Sequence, residues 1–442
     1  MTQKSSITPD AVHSTLGKHI LADGFDMVLD LKKSQGPYLH DVKGDRSYLD
    51  FFTYFASNPL GMNHPKMVDN PEFREKIGFV AMHNPSNSDV YTTEMAEFVE
   101  TFSRVGIPSD MPHAFFVAGG ALAVENALKV AFDWKVQKNF QKGYRVEKGH
   151  KVLHFEQAFH GRTGYTMSLT NTEPNKVALF PKFDWPRVVN PKMHFPMDQK
   201  NTDLVIAMEK KAIAQAEKHF EMHKDDIAAI IIEPIQGEGG DNQFRLEFHQ
   251  ALRDLAEKHE ALLVHDEVQT GIGLTGKFWA HEHYVKPDIL AFGKKAQVCG
   301  ILAGTRIDDL ETNVFRVSSR INSTWGGNLV DMVRFARYLE IIEEDKLVEN
   351  AERTGGYLLE KIHELVNELD GISGARGKGL MCAFDFADPG KRNAYLKAAQ
   401  KNGMLMLPCG THSVRFRPPL IIQKEHVDEG IEIARKSLRE IL

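Results

Sequence analysis

The sequence predicts an α/β protein with a large domain, a mainly parallel sheet between helices, and a smaller α+β domain beside it. Three observations lead there. Six short apolar runs, at 114–117, 151–155, 227–232, 261–264, 289–292 and 301–303, alternate with helix-like stretches. Runs this rich in Val, Ile, Leu and Phe suit strands covered on both faces, as parallel strands are. No repeat, low-complexity tract or long linker interrupts them. After about residue 325 the pattern changes to a helical stretch, 329–344, and then strand-like 380–386 and 414–416. The expected division is 1–60, contributing to the small domain, 61–325 as the large domain, and 326–442 as the rest of the small one.

Between the runs, 122–135 reads as a helix because Leu122, Leu128 and Phe132 fall near one face with Glu125. The stretch 203–223 is long and rich in Ala, Lys and Glu, and also reads as a helix. Open α/β sheets bind ligands beyond the carboxyl ends of their strands. The polar residues just after each run are therefore the place to look. Gly119-Gly120-Ala121 follows the first run; small residues at a strand-to-helix turn let backbone N–H groups and the helix dipole meet a phosphate. A plain tight turn is the alternative. Asp266, after 261–264, needs a partner, because a lone buried carboxylate is costly. That partner is either an Arg or Lys, or a protonated pyridine nitrogen, which an Asp stabilises. Lys294 and Lys295 follow 289–292. A desolvated lysine has a lowered pKa and becomes a Schiff-base nucleophile, whereas a loop lysine stays solvated. Together, the acid, the lysine and the glycine turn describe a pyridoxal phosphate site.

Composition narrows the field. The 442 residues are 42% hydrophobic and 26% charged, with a formal net charge of -6. That balance lacks the basic footprint of nucleic-acid or anionic-membrane binding. No apolar stretch approaches the roughly 18 residues of a membrane span. The polar start, Met1 to Asp10, lacks the apolar core of a secretion signal. Three scattered cysteines (Cys299, Cys382, Cys409) make neither a disulfide framework nor a zinc site, and point to the cytoplasm.

The segment 266–271 (DEVQTG) followed by 287–294 (PDILAFGK) resembles the signature of the class III pyridoxal-phosphate-dependent aminotransferases, and related features extend from about 38 to 419. The resemblance implies fold type I, the cofactor pyridoxal 5′-phosphate, and a homodimer with a shared active site. It makes Lys294 rather than Lys295 the Schiff-base lysine. Asp266 would meet the pyridine nitrogen and Gln269 the ring hydroxyl, while Phe159 and Val268 would cover the two ring faces. Gly120 and Ala121 would offer amides to the phosphate, completed by Thr324 of the neighbouring subunit. Most of the family carry Ser-Gly-Ser or Ser-Gly-Thr where this chain has Gly119-Gly120-Ala121, so both hydroxyl donors are missing.

Within the family, the segments 84–91, 119–134, 158–165, 181–187, 233–240, 292–300, 322–328 and 414–419 resemble the branch acting on the ε-amine of L-lysine. By that resemblance Arg415 takes an α-carboxylate and Arg162 the far one, two sites that suit 2-oxoglutarate. Glu238 would neutralise Arg415 while lysine is bound; a merely solvated Glu238 is the alternative, and Arg417 rivals Arg415. The implied reaction is ping-pong transfer from L-lysine to 2-oxoglutarate. Ornithine or 4-aminobutyrate as donor, or a non-catalytic cofactor-binding protein, are the other readings.

Several signals lead elsewhere and are set aside. Gly271 to Gly276 forms a GxGxxG, but no helix-like pattern opens at Gly276 as a dinucleotide site requires. His219 with His223 and His281 with His283 lack an acidic third ligand, so no metal is expected. His160 is expected to shape the pocket without acid–base work.

Overall fold

The computed structural model describes residues 7–442; residues 1–6, the start of the polar N-terminal stretch, lie outside the described residues. In chain order the strands are β1 (Tyr38–Asp41), β2 (Arg46–Asp50), β3 (His113–Val117), β4 (Lys151–Phe155), β5 (Arg187–Val188), β6 (Ile227–Ile232) and β7 (Leu262–Asp266). They continue with β8 (Ile289–Phe292), β9 (Cys299–Ala303), β10 (Ile372–Lys378), β11 (Met381–Phe386), β12 (Met404–Leu405), β13 (Leu407–Cys409) and β14 (Ser413–Phe416). All six apolar runs are strands. They form, with β5, a seven-stranded sheet in the order β3-β9-β8-β7-β6-β4-β5. Six of its strands point the same way, and β9 runs opposite, antiparallel to both β3 and β8. Every residue of β6, β7, β8 and β9 is buried, as strands covered by helices on both faces must be.

The helix read at 122–135 spans Gly120–Gln141. It starts earlier because Gly119, at φ 120°, turns the chain directly into it. Its buried side is Ala123, Val124, Ala127, Leu128, Ala131 and Trp134, whereas Leu122 is 38% exposed. Small alanines let the helix lie close on the sheet, so the apolar stripe is rotated from the one expected. The second helix spans Gln199–Met222, its start drawn forward by Asp198, whose carboxylate accepts from Asn201 N at 2.8 Å. No helix opens at Gly276, where the backbone forms turns.

Two smaller sheets, β1-β2-β12 and β10-β11-β14-β13, complete the architecture. Leu49 pairs with Met404 and Asp50 with Leu405, so an N-terminal strand closes on a C-terminal one. Strands of two to five residues with mixed polarity carry no periodic signal, which is why this pairing was not expected. The helices Thr93–Val105 and Leu329–Glu344 pack together over the sheet. Phe102 sits between them and β8, 5.4 Å from the rings of both Phe292 and Phe335. Burying such a ring contributes about 1.5–3 kcal/mol and fixes the strand ends below it. Among the described residues, no helix is long and apolar enough to cross a membrane.

Candidate active site

Parallel pairing brings the polar strand ends together. Asp266 closes β7 in register with Ala291 of β8, and Lys294 follows β8 two residues later. Glu233 follows β6, and the loop carrying Phe159 and His160 follows β4. A cavity of about 240 Å³ opens among them, bordered by Gly120, Ala121, Phe159, Asp266, Val268, Gln269 and Lys294. The lysine and the acid thus border one small space.

The two lysines part company. Lys295 Nζ turns away to donate to Gln269 O at 2.6 Å and Ala56 O at 3.4 Å, a buried structural role. Lys294 faces the cavity. Burial, with Arg415 adding to it, pulls its ammonium down to about 8. Its backbone sits at φ 52°, a left-handed conformation that non-glycine residues adopt at some cost and that concentrates at functional sites.

Asp266 is held by two donors. Its Oδ2 lies 2.8 Å from His160 Nδ1, and its Oδ1 accepts from Val268 N at 3.1 Å. His160 therefore touches the acid directly, while its Nε2 is buried without a partner among the described residues. Beside them Glu233 accepts from Phe159 N at 2.9 Å and Gly237 N at 3.1 Å, clamping two loops. Burial pushes the Glu233 carboxyl up to about 7, with His160 opposing and Asp266 reinforcing the rise.

The arginines differ as sharply as the lysines. Both are about 1% exposed. Arg417 is engaged by Asp241, with Nη1 2.9 Å from Oδ2 and a second contact from Nη2 to Oδ1. Arg415 Nη2 lies 2.9 Å from Glu238 Oε2, and its Nε is buried without a partner among the described residues. Glu238 is ion-paired, not merely solvated. Burial alone would raise its carboxyl, but Arg415 and Lys176 outweigh that and hold it at about 2. Gln269 Oε1 accepts from Arg415 Nη1 at 3.4 Å and from Arg417 Nε at 3.3 Å, so its oxygen end is committed to the arginines. A Cβ at residue 237 would meet that oxygen at 2.4 Å, so any side chain there would displace the Gln269 amide. Likewise a Cβ at Gly161 (φ 119°) would lie 2.5 Å from Ala121 Cβ.

Arg162 and Thr324 are both exposed and do not border the cavity of this single chain. The loop of Thr324 is tied to the segment after Asn84: Asn87 Nδ2 donates to Gly327 O at 2.9 Å, and Ser88 Oγ to Ser323 O. Four contributors were not anticipated: Glu233, Asp241, Lys176 and Phe55. Glu233 follows an apolar run and the strand-end rule alone would find it. Phe55, whose ring lies 5.7 Å from the Arg415 guanidinium, comes from a left-handed turn, Thr53 to Ala56, with φ between 41° and 64°. Asp50 anchors that turn by accepting from Phe52 N and Thr53 N. Such a turn leaves no mark in a sequence read for strands and right-handed helices.

A carboxylate at one end, a helix N-terminus at Gly120 at the other, apolar cover from Val268 and Phe159, and an amine between them fit pyridoxal 5′-phosphate. Comparison with known proteins agrees. The family model described as Aminotransferase class-III matches residues 21–438. The L-lysine-epsilon aminotransferase of Mycobacterium tuberculosis is 51% identical, covering 98% of this chain and 96% of that protein. That of Amycolatopsis lactamdurans is 49% identical, covering 97% and 96%. The solved structure of the lysine aminotransferase from M. tuberculosis in the internal aldimine form superposes with a TM-score of 0.96 at 50% identity, covering 98% of this chain and all of that one. With the family model matched over residues 21–438 and relatives about half identical along nearly the whole length, the chain belongs to the class III aminotransferases.

Proposed function

We propose that the protein transfers the ε-amino group of L-lysine to 2-oxoglutarate, giving 2-aminoadipate 6-semialdehyde and L-glutamate by a ping-pong mechanism on pyridoxal 5′-phosphate. The observation that carries the reading is the Arg415–Glu238 ion pair over the site. With Glu238 in place, Arg415 is neutralised and the pocket suits the uncharged methylenes beside lysine's reacting amine. With Glu238 aside, Arg415 is free to hold the α-carboxylate of 2-oxoglutarate or glutamate by a paired hydrogen bond. The near-half identity to lysine enzymes favours lysine over ornithine or 4-aminobutyrate as donor.

The bound cofactor supplies an electron sink that acidifies the carbon bearing the amine. Lys294, its ammonium pulled down to about 8 by burial, would hold the cofactor and, once freed by the donor amine, would take the proton from the donor's ε-carbon and deliver it to the cofactor. Asp266, fixed by His160 and Val268 N, holds the proton on the pyridine nitrogen. With its oxygen on the arginines, Gln269 has its amide nitrogen left for the ring hydroxyl. Val268 and Phe159 cover the ring faces, and the amides of Gly120 and Ala121 receive the phosphate. Arg162, exposed in the single chain, would turn toward the site to take the far carboxylate.

The same reading makes the working unit a homodimer, with Thr324 given to the partner's phosphate site. Supporting this, three large apolar side chains, Val90 (60% exposed), Tyr91 (76%) and Trp325 (50%), are exposed on the two segments that Asn87 and Ser88 tie together. Residues 1–60 and 326–442 would form the small domain and 61–325 the large one. Three buried, free thiols fit a reducing cytoplasm. The deciding experiment offers lysine, ornithine and 4-aminobutyrate in turn with 2-oxoglutarate, measuring glutamate and trapping the cyclic imine of the semialdehyde. Lysine should be the best donor; if it is the poorest, the substrate assignment fails.

A further inference from the structure

Lys176 has no part in the proposed reaction, yet it is paired with Glu238 at the site. It ends the short turn Pro174–Lys176, its side chain 18% exposed. Its Nζ lies 2.6 Å from Glu238 Oε1, 2.8 Å from Glu173 Oε1 and 5.5 Å from the Phe159 ring centroid. Glu238 therefore has a different cation on each oxygen, Lys176 on Oε1 and Arg415 on Oε2.

The two cations differ in freedom. Arg415 is buried on β14, a planar fork held by Gln269 and Glu238. Lys176 is a point charge on a flexible stem with three rotatable donors, and can follow a moving partner. When a second carboxylate claims Arg415, Glu238 must withdraw with its side chain only 21% exposed. An unpaired carboxylate in so sheltered a place is costly. Contact through Oε1 lets Oε2 leave Arg415 while one ion pair stays intact.

We propose that Lys176 is the pivot of this exchange, a positioning residue that keeps hold of Glu238 while a dicarboxylic 2-oxo acid displaces it from Arg415. The proposal rests on the reading of Glu238 as a movable cover for Arg415. Its consequence is asymmetric. With lysine bound, Glu238 stays on Arg415 and Lys176 is a second partner; with 2-oxoglutarate bound, Lys176 becomes its main one. A lysine that instead pinned Glu238 against Arg415 would act with the opposite sign, because removing it would loosen the cover and tighten 2-oxo acid binding.

The test uses the holoenzyme and follows each half-reaction separately by stopped-flow absorbance, with L-lysine or with 2-oxoglutarate and glutamate. Lys176→Met should weaken 2-oxoglutarate and glutamate binding about tenfold, the size of losing one ion pair to a partly sheltered carboxylate, with a much smaller change toward lysine. Lys176→Arg should restore most of the loss. In a Glu238→Gln background, Lys176→Met should add little, since an amide needs no countercharge. Equal weakening in both half-reactions, or unchanged or tighter 2-oxoglutarate binding, overturns the pivot. If Glu238→Gln alone leaves both half-reactions unaltered, the movable cover itself fails and the pivot with it. An inert Lys176→Met beside a responsive Glu238→Gln sinks the pivot only.

Discussion

His160 Nδ1 lies 2.8 Å from Asp266 Oδ2, joining the residue after Phe159 to the acid that faces the cavity. One contact thus ties the ends of β4 and β7 together. His160→Leu leaves Asp266 with Val268 N as its remaining donor. The loss of a hydrogen bond to a charged group, about 1.5–3 kcal/mol, should lower turnover by roughly 10- to 100-fold. Steady-state rates at saturating lysine, with cofactor content checked by absorbance, measure it; unchanged turnover in a fully loaded variant would contradict the positioning role.

The adjacent lysines should fail differently. Lys294→Ala should remove the visible absorbance of lysine-bound cofactor and reduce turnover by about 10³-fold or more. Lys295→Met leaves two buried carbonyls without their donor and should cost about 1–3 kcal/mol of stability, with the absorbance kept. Exchanged phenotypes would mean that the wrong lysine has been assigned.

A similar contrast separates the arginines. Arg417→Met strands Asp241 in the interior and should cost about 3–5 kcal/mol, read as a lower unfolding midpoint. Arg415→Met should leave folding far less affected, because Glu238 keeps Lys176, and should chiefly weaken glutamate and 2-oxoglutarate binding. Thermal unfolding beside half-reaction titrations tells them apart.

Buried histidines make part of the fold acid-sensitive. Burial pulls His154 and His249 down to about 3, and in His154 the imidazole accepts from Arg187 Nε at 3.1 Å, which requires a bare Nε2. A histidine whose folded pKa is depressed binds its proton more readily unfolded. Its contribution is therefore complete above about 6.5 and is lost as pH falls toward the folded value. Glu233, pushed up to about 7, works in the opposite sense, so the slope of the whole protein is a difference. A single variant isolates one contributor. Between pH 7.5 and 5, His249→Phe should lose about 2 kcal/mol less stability than the parent protein. Urea midpoints at the two pH values measure this, and parallel slopes would refute it.

Much of the cavity's lining is legible in the sequence, because strand ends carry their chemistry next to an apolar run. Asp266, Lys294 and Gly120 each follow such a run, and β6 to β8 begin and end close to the expected residues. Family resemblance supplied Arg415 and Glu238, and the ion pair between them is present. What escaped notice came from loops: Lys176 on a short turn, Asp241 in a glycine loop, Phe55 on a left-handed turn. Their positions follow from which loops the sheet order brings together, not from any local period.

From the sequence alone came the type of each central element, the acid and the lysine, and the direction in which the strand ends point. Burial and backbone hydrogen bonding act locally, so a run of Ile, Val and Leu declares itself a covered strand wherever it lies. Tertiary structure made the choices of environment between like residues: Lys294 on the cavity against Lys295 capping backbone carbonyls, Arg415 on Glu238 against Arg417 on Asp241, and an ion-paired Glu238 against a solvated one. Those choices turn on where a countercharge sits, and Asp241, Glu238 and Gln269 O are brought to their partners only when distant segments fold together. A charge in a low-dielectric interior takes its role from its nearest neighbours, and neighbours across a fold are not neighbours in a chain.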